Sequence, residues 1–301
     1  MSSVAFLGAL EIGLVFALVA LGVFLSFRVL NFPDLTVDGS FPLGAAVAAT
    51  LIVRGVDPYL ATLLAIMAGG VAGLVTALLN VRFRILHLLA SILTMIALFS
   101  INLRIMGRPN VALISEPTLL TPFEGLGLSD TVLKPVYVAF VVLMAALMLA
   151  RFLNSEYGLG LRATGANPRM ARAQGIDTDR GIYVGMALSN GLVALAGALF
   201  AQTNGFADIT IGTGTIVVGL AAVILGETVF STRTMLLWVS ACVVGAVLYR
   251  VAVAFALNAD FIGLKSSDLN LVTALLVAMA LILPNVRNPL KTLFRRSGAR
   301  T

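Results

Sequence analysis

The chain is poor in what soluble enzymes and secreted domains are built from. One cysteine (Cys242) in 301 residues excludes a disulfide framework, and with a single histidine (His87) it excludes a metal site made from His and Cys ligands. Cys242 lies within an apolar run and reads as a small packing residue. Charged residues make up 11% of the chain, less than half of the roughly 25% found in soluble domains, so a water-soluble globular enzyme is excluded. The net charge of +6 comes from basic residues strung through short segments between apolar runs, not gathered on one face, so a nucleic-acid surface is excluded too. Met1 to Leu10 carries no basic segment, and the apolar run continues past Glu11 without a small-residue cleavage site, so no removable signal peptide is expected.

What is abundant is apolar. Hydrophobic residues account for 59% of the chain, and the mean hydropathy is +1.03. A bilayer-spanning helix needs about 20 mostly apolar residues. With Gly, Pro and charge as punctuation, helices are expected near 4–28, 38–54, 58–80, 85–107, 132–153, 180–203, 213–230, 234–257 and 270–286. The expected fold is therefore an all-α polytopic membrane protein of about nine spans (8–10), one transmembrane domain over residues 1–301. With 154–180 on the cytoplasmic side, that side receives Arg28, Arg82, Arg84, Arg151, Arg162, Arg169, Arg172, Arg180, Arg233, Arg287, Lys291, Arg295, Arg296 and Arg300. The other side keeps Arg54, Arg104, Arg108, Lys134, Arg250 and Lys265. This asymmetry follows the positive-inside rule and puts the N-terminus outside and the C-terminus inside. Glycines within the spans (Gly69, Gly70, Gly73, Gly181, Gly185, Gly191, Gly197) are read as helix-packing positions.

A repeat is hidden in the apolar background. Residues 32–37 read Phe-Pro-Asp-Leu-Thr-Val and residues 206–211 read Phe-Ala-Asp-Ile-Thr-Ile, each preceded by an Asn (Asn31, Asn204) within one residue of register. An odd number of spans separates the copies, so inverted repeats are expected at about 4–107 and 180–286, each with a broken helix near mid-membrane. Pro33, Gly39, Gly205, Gly212 and Gly214 are suitable breakers. A carboxylate inside a span is costly and normally faces a cavity or a partner. Asn31, Phe32, Asp34, Thr36, Asp38, Phe206, Asp208, Thr210 and Thr213 are thus candidates for a substrate pathway, with Asn102 added from the fourth run. Interfacial turns in which Asp and Thr merely cap the next helix would explain the same residues. The other polar residues in the spans, Glu11, Asn190, Glu227 and Arg250, fit a pathway as well, but Glu227 and Arg250 lie near helix ends, where snorkelling or pairing accounts for them.

The segment 154–180 carries a bracketed helix. Asn167 suits an N-cap, Pro168 the first helical position and Gly175 the position after the C-cap. Such a surface helix is either a docking element for a cytoplasmic partner or a charged loop that fixes topology.

The stretches GLGLRATGANPRMARAQGI (158–176), GLVALAGALFAQTNG (191–205) and GLAAVILG (219–226) resemble the branched-chain amino-acid and ribose type of ABC-transporter permease, as do DLTVDGS (34–40) and GRPN (107–110). The wording NFPDLTVDGSFPLGAAVAA (31–49) is similar to the branch described as tryptophan/tyrosine transport permeases. The resemblance covers about residues 8–285. It implies a permease subunit of a bacterial inner-membrane importer, working with a second permease chain, cytoplasmic ATP-binding subunits and an extracytoplasmic substrate-binding protein. No cofactor is implied for this chain, since ATP and Mg belong to the partner ATPase. The resemblance further implies that 168–174 is the coupling helix, with Arg162, Gly165, Asn167, Pro168, Arg169, Arg172 and Gly175 as its positions. Asp38 stands where ribose-type members continue with Gly, so sugar specificity does not carry over.

The rival class is an ion-coupled secondary transporter, which inverted repeats and intramembrane acids also fit. None of the three lysines, Lys134, Lys265 and Lys291, lies in a Gly-x-x-x-x-Gly-Lys-Ser/Thr loop, so ATP hydrolysis by this chain is not expected. A docking helix is needed only by the ABC class. A channel would need filter-like repeats, which the sequence does not show. Within the ABC reading, an aromatic or branched-chain amino acid is the expected solute, with a sugar or nucleoside as the alternative.

Overall fold

The computed structural model describes residues 3–126, 129–230 and 234–257, with Leu275 and Ala278. In chain order the helices are α1 (Ser3–Val23), α2 (Val37–Val53), α3 (Pro58–Val81), α4 (His87–Met106), α5 (Asp130–Asn154), α6 (Glu156–Ala166), α7 (Pro168–Ala173), α8 (Thr178–Asn204), α9 (Thr215–Val229) and α10 (Met235–Leu257). A π-helical turn, Phe24–Val29, ends α1, and a short 3₁₀ turn spans Thr121–Leu126. Among the described residues six helices are long and apolar enough to cross a membrane, and α2 and α9 are shorter apolar helices. At 1.5 Å per residue α2 and α9 reach only about 25 and 22 Å, short of the roughly 30 Å hydrocarbon layer. The apolar run at 270–286 lies outside the described residues, apart from Leu275 and Ala278.

Two features depart from the sequence reading. Two three-residue strands, β1 (Asn110–Ala112) and β2 (Phe206–Asp208), pair antiparallel and join the ends of α4 and α8, so the bundle is not purely helical. The segment between α5 and α8 also holds two helices, not one. Three glycines weaken the intrinsic helical tendency of α6 (Gly158, Gly160, Gly165), but two of them allow close packing. A methyl group at Gly158 would overlap the Phe152 carbonyl, and one at Gly165 the Val29 carbonyl. Tertiary packing here overrides propensity.

Helix α8 packs along α2 and α3, while α1 packs along α9 and α10. In lipid there is little hydrophobic gain from pressing apolar helices together, so close backbone approach supplies the attraction. The glycines show where. A Cβ at Gly44 or Gly69 would run into Ala194, one at Gly73 into the Met186 carbonyl, and one at Gly197 into the Phe41 carbonyl. Gly70 and Gly191 meet only ordinary contacts and mark no such crossing. Leu63, Met67 and Val71 on α3 and Phe140, Leu143 and Met148 on α5 point outward and exposed, as lipid-facing side chains do.

Candidate functional site

The chain between α1 and α2 turns sharply at Asn31, in the left-handed region with φ 54°. Phe32 is buried and stacks flat on His87, centroids 4.3 Å apart. Asp34 is completely buried, and its Oδ1 accepts the Thr36 backbone N–H at 2.9 Å. Its Oδ2 accepts from Asn190 Nδ2 at 2.8 Å, halfway along α8. Asn190 Oδ1 in turn accepts from Ser40 Oγ at 2.7 Å, and the Thr36 and Thr76 hydroxyls lie 2.8 Å apart. Asp34 therefore sits in the middle of the bundle, sealed among polar partners from α2, α3 and α8.

The second copy, after α8, repeats the backbone but not the surroundings. Gly205 takes the place of Asn31, also left-handed at φ 78°. Asp208 Oδ1 accepts the Thr210 N–H at 2.8 Å, the counterpart of the Asp34 turn. Asp208 stands on the exposed ribbon, however, with Asn110 Nδ2 3.3 Å from its Oδ2. The Thr210 hydroxyl bond holds its carboxyl below the usual carboxylate range. Phe206 and Thr210 are exposed beside it.

The two breaks meet at Asp38. Helix α9 begins after Gly214, which offers no side-chain cap. Asp38 supplies one from α2: Oδ1 accepts Ile216 N–H at 2.7 Å and Oδ2 accepts Gly214 N–H at 3.2 Å. A carboxylate is well placed at the positive end of a helix. Gly212 lies so close that a side chain there would overlap the Asp38 carbonyl and Pro42. Beside this junction a cavity of about 440 Å³ is lined by Asp38, Ser100, Asn102 and Thr213, with Met95 and Phe99 among its apolar walls.

Of the expected pathway residues, Asp38, Asn102 and Thr213 thus share one cavity. Asp34 and Thr36 lie in the buried network, Asn31 and Phe32 face the α6–α7 end of the bundle, and Phe206, Asp208 and Thr210 belong to the ribbon. Ser40 is not among the expected residues, Gly212 is expected only as a helix breaker, and Asn190 only as one of the polar residues within the spans. Asn190 was visible as a lone amide in an apolar run, and Gly212 as the residue that the 174-residue repeat offset pairs with Asp38.

At the far end of the bundle, Asn167 Oδ1 accepts the N–H groups of Arg169 and Met170, both at 3.1 Å, and Gly175 turns left-handed at φ 82°. Only Ala171 of α7 is buried, so Arg169, Met170 and Arg172 project outward. Arg162 and Gly165 belong to α6: Arg162 lines a cavity with Arg28 and Trp238, and Gly165 rests on the π-helical turn. Arg28 pairs with Glu227 at 2.9 Å, which accounts for that half-buried acid.

Residues 6–286 match the family described as branched-chain amino acid transport system / permease component. A tyrosine transport system permease protein of Clostridioides difficile (strain R20291) is 38% identical over 279 residues, covering 92% of this chain and 90% of that protein. The ribose import permease protein RbsC of Escherichia coli (strain K12) is 26% identical over 254 residues, 84% of this chain and 77% of its own. Among solved structures, PsaBC from Streptococcus pneumoniae in complex with Fab superposes with a TM-score of 0.52 at 14% identity, covering 92% of this chain and 89% of that one. That likeness concerns the fold alone. A match over nearly the whole length, on a bundle with six helices of membrane-spanning length among the described residues, means that this chain is a multi-pass membrane protein belonging to the branched-chain amino acid transport permease family.

Proposed function

We propose that the chain is the membrane subunit of an ABC importer for a small amino acid of aromatic or branched-chain type. The observation that carries this reading is the meeting of two short helices, α2 and α9, at Asp38 beside a cavity, with a capped helix projecting at the opposite end. Short helices whose N-termini meet inside a bundle are the substrate-site arrangement of inverted-repeat transporters. The reciprocal packing of α1 on α9 and α10, and of α8 on α2 and α3, supports inverted repeats over about 4–107 and 180–286. The ribbon end faces outward, towards a binding protein, and the α6–α7 end faces the cytoplasm, where ATP is hydrolysed by partner subunits. The pathway runs past Asp38, Asn102 and Thr213, between two permease copies. The tyrosine transport system relative favours an amino acid over a sugar.

The test uses the chain reconstituted in proteoliposomes with its ATPase and binding protein. ATP-dependent uptake of L-tyrosine or L-leucine is expected. Replacing Arg169 and Arg172 by Glu should abolish association with the ATPase and with it the uptake. Uptake that persists without ATP, or undiminished association in the double variant, overturns the reading.

A further inference from the structure

The cavity between α2, α4 and the segment that leads from β2 into α9 offers hydrogen-bond acceptors and negative charge, and no basic side chain is among the residues that line it. Asn102 is fully buried there. Its Nδ2 donates to the Gly39 carbonyl at 3.2 Å, which fixes the sense of the amide, because reversing it would press two oxygens together. Asn102 Oδ1 therefore points away from Gly39, and it has no hydrogen-bond partner. A buried acceptor left empty is costly, and a ligand that brings a donor removes that cost. Asp38 keeps free lone pairs beyond its two backbone bonds, and neither Asp38 nor Asp34 has an ion-pair partner among the described residues. The Phe99 ring and the Met95 thioether complete the wall.

We infer that this cavity is a subsite for the amino end of a transported solute, with Asn102 Oδ1 accepting an N–H and Asp38 facing the positive charge. The ligand class is a small cationic or zwitterionic amine with an apolar or aromatic body, whose carboxylate is not held here. This rests on the transport reading and sharpens it.

Three probes share one ring and differ only at the ends: L-tyrosine, tyramine, which lacks the carboxylate, and 3-(4-hydroxyphenyl)propionate, which lacks the ammonium. Binding of each to the permease–ATPase complex in nanodiscs is measured by equilibrium dialysis. Tyramine and L-tyrosine should bind at least tenfold more tightly than the propionate, and Asn102→Leu should weaken tyramine about tenfold. Asn102→Asp keeps an acceptor, adds charge and should widen the gap between tyramine and the propionate. Equal binding of all three, no binding of any, or unchanged tyramine affinity in assembled Asn102→Leu overturns the subsite. Should Asn102→Leu not assemble, an unchanged gap in Asn102→Asp overturns it. The transport reading is judged separately: ATP-dependent uptake that survives alongside lost amine selectivity sinks the subsite alone, whereas absence of any ATP-dependent uptake by the complete system sinks the reading beneath it.

Discussion

The segments 31–38 and 205–216 carry nearly the same words and lead opposite lives. Each starts with a left-handed residue, Asn31 or Gly205, and each closes an Asp-x-Thr turn in which the carboxylate accepts the Thr N–H. Yet Asp34 is sealed in mid-bundle and Asp208 is only half-buried, on a ribbon at the edge of the bundle. The helix that follows begins at Val37 in the first copy and at Thr215 in the second, four residues later than the repeat offset would set it. Those residues form the bend that brings Gly212 and Gly214 against Asp38. A repeated sequence thus dictates repeated local hydrogen bonding, while the helices packed around each copy decide whether the carboxylate knits a core or meets water.

The sharpest way to break this comparison is to remove the same carboxylate from both copies. Asp34→Leu leaves the Thr36 N–H and one N–H of Asn190 Nδ2 unpaired in the interior, the other still donating to the Met186 carbonyl, and should cost about 3 kcal/mol. Asp208→Leu removes bonds that water replaces, and should cost under about 1 kcal/mol. Thermal unfolding of the purified variants in nanodiscs reads both. Equal losses would mean that the two turns are not distinguished by burial.

Much of this contrast was legible before any coordinates. The eight apolar helices of the described residues fall within a few residues of the runs read from hydropathy, because charged side chains are costly in lipid and so gather where the helices end. The Asn167-Pro168 start of α7 was legible because a cap is a local device. Helix α6 was not, since Gly158 and Gly165 are justified only by backbones that approach from elsewhere in the chain. The site was legible in its ingredients and not in its grouping. Asp38, Asn102 and Thr213 are up to 175 residues apart and meet only because α2 packs against both α4 and the segment that leads into α9. Asp34 carried the same signal as Asp38, but the Asn190 that claims it lies on another helix.

A smaller effect sharpens the junction itself. Gly212→Ala places a methyl group against the Asp38 carbonyl and the Pro42 ring, and overpacking of this kind costs about 1–3 kcal/mol. It should also displace Gly214 and Ile216 from the Asp38 carboxylate, so uptake should fall more than stability does. Gly70→Ala, on a helix face with only ordinary contact to its neighbour, serves as the control and should leave both near wild type. If Gly212→Ala matches it in both, the close meeting of the breaks does not matter to transport.

The smallest effect concerns pH at the ribbon copy. Thr210 holds the Asp208 carboxyl below its ordinary range, so the folded ribbon binds the proton less readily than the unfolded chain, whose Asp titrates near 3.9. The contribution of Asp208 is then fully present above that value and is lost as pH falls through the lower folded one. Protection of the Thr210 amide against hydrogen exchange should hold from pH 8 to about 5 and weaken below about 4. In Asp208→Asn this dependence should vanish, with protection low but flat across the range. Because the side chain is only half-buried and partly screened by solvent, global unfolding should barely register the change. A large acid shift in overall stability that disappears with Asp208→Asn would mean that the ribbon copy, too, is tied into the bundle.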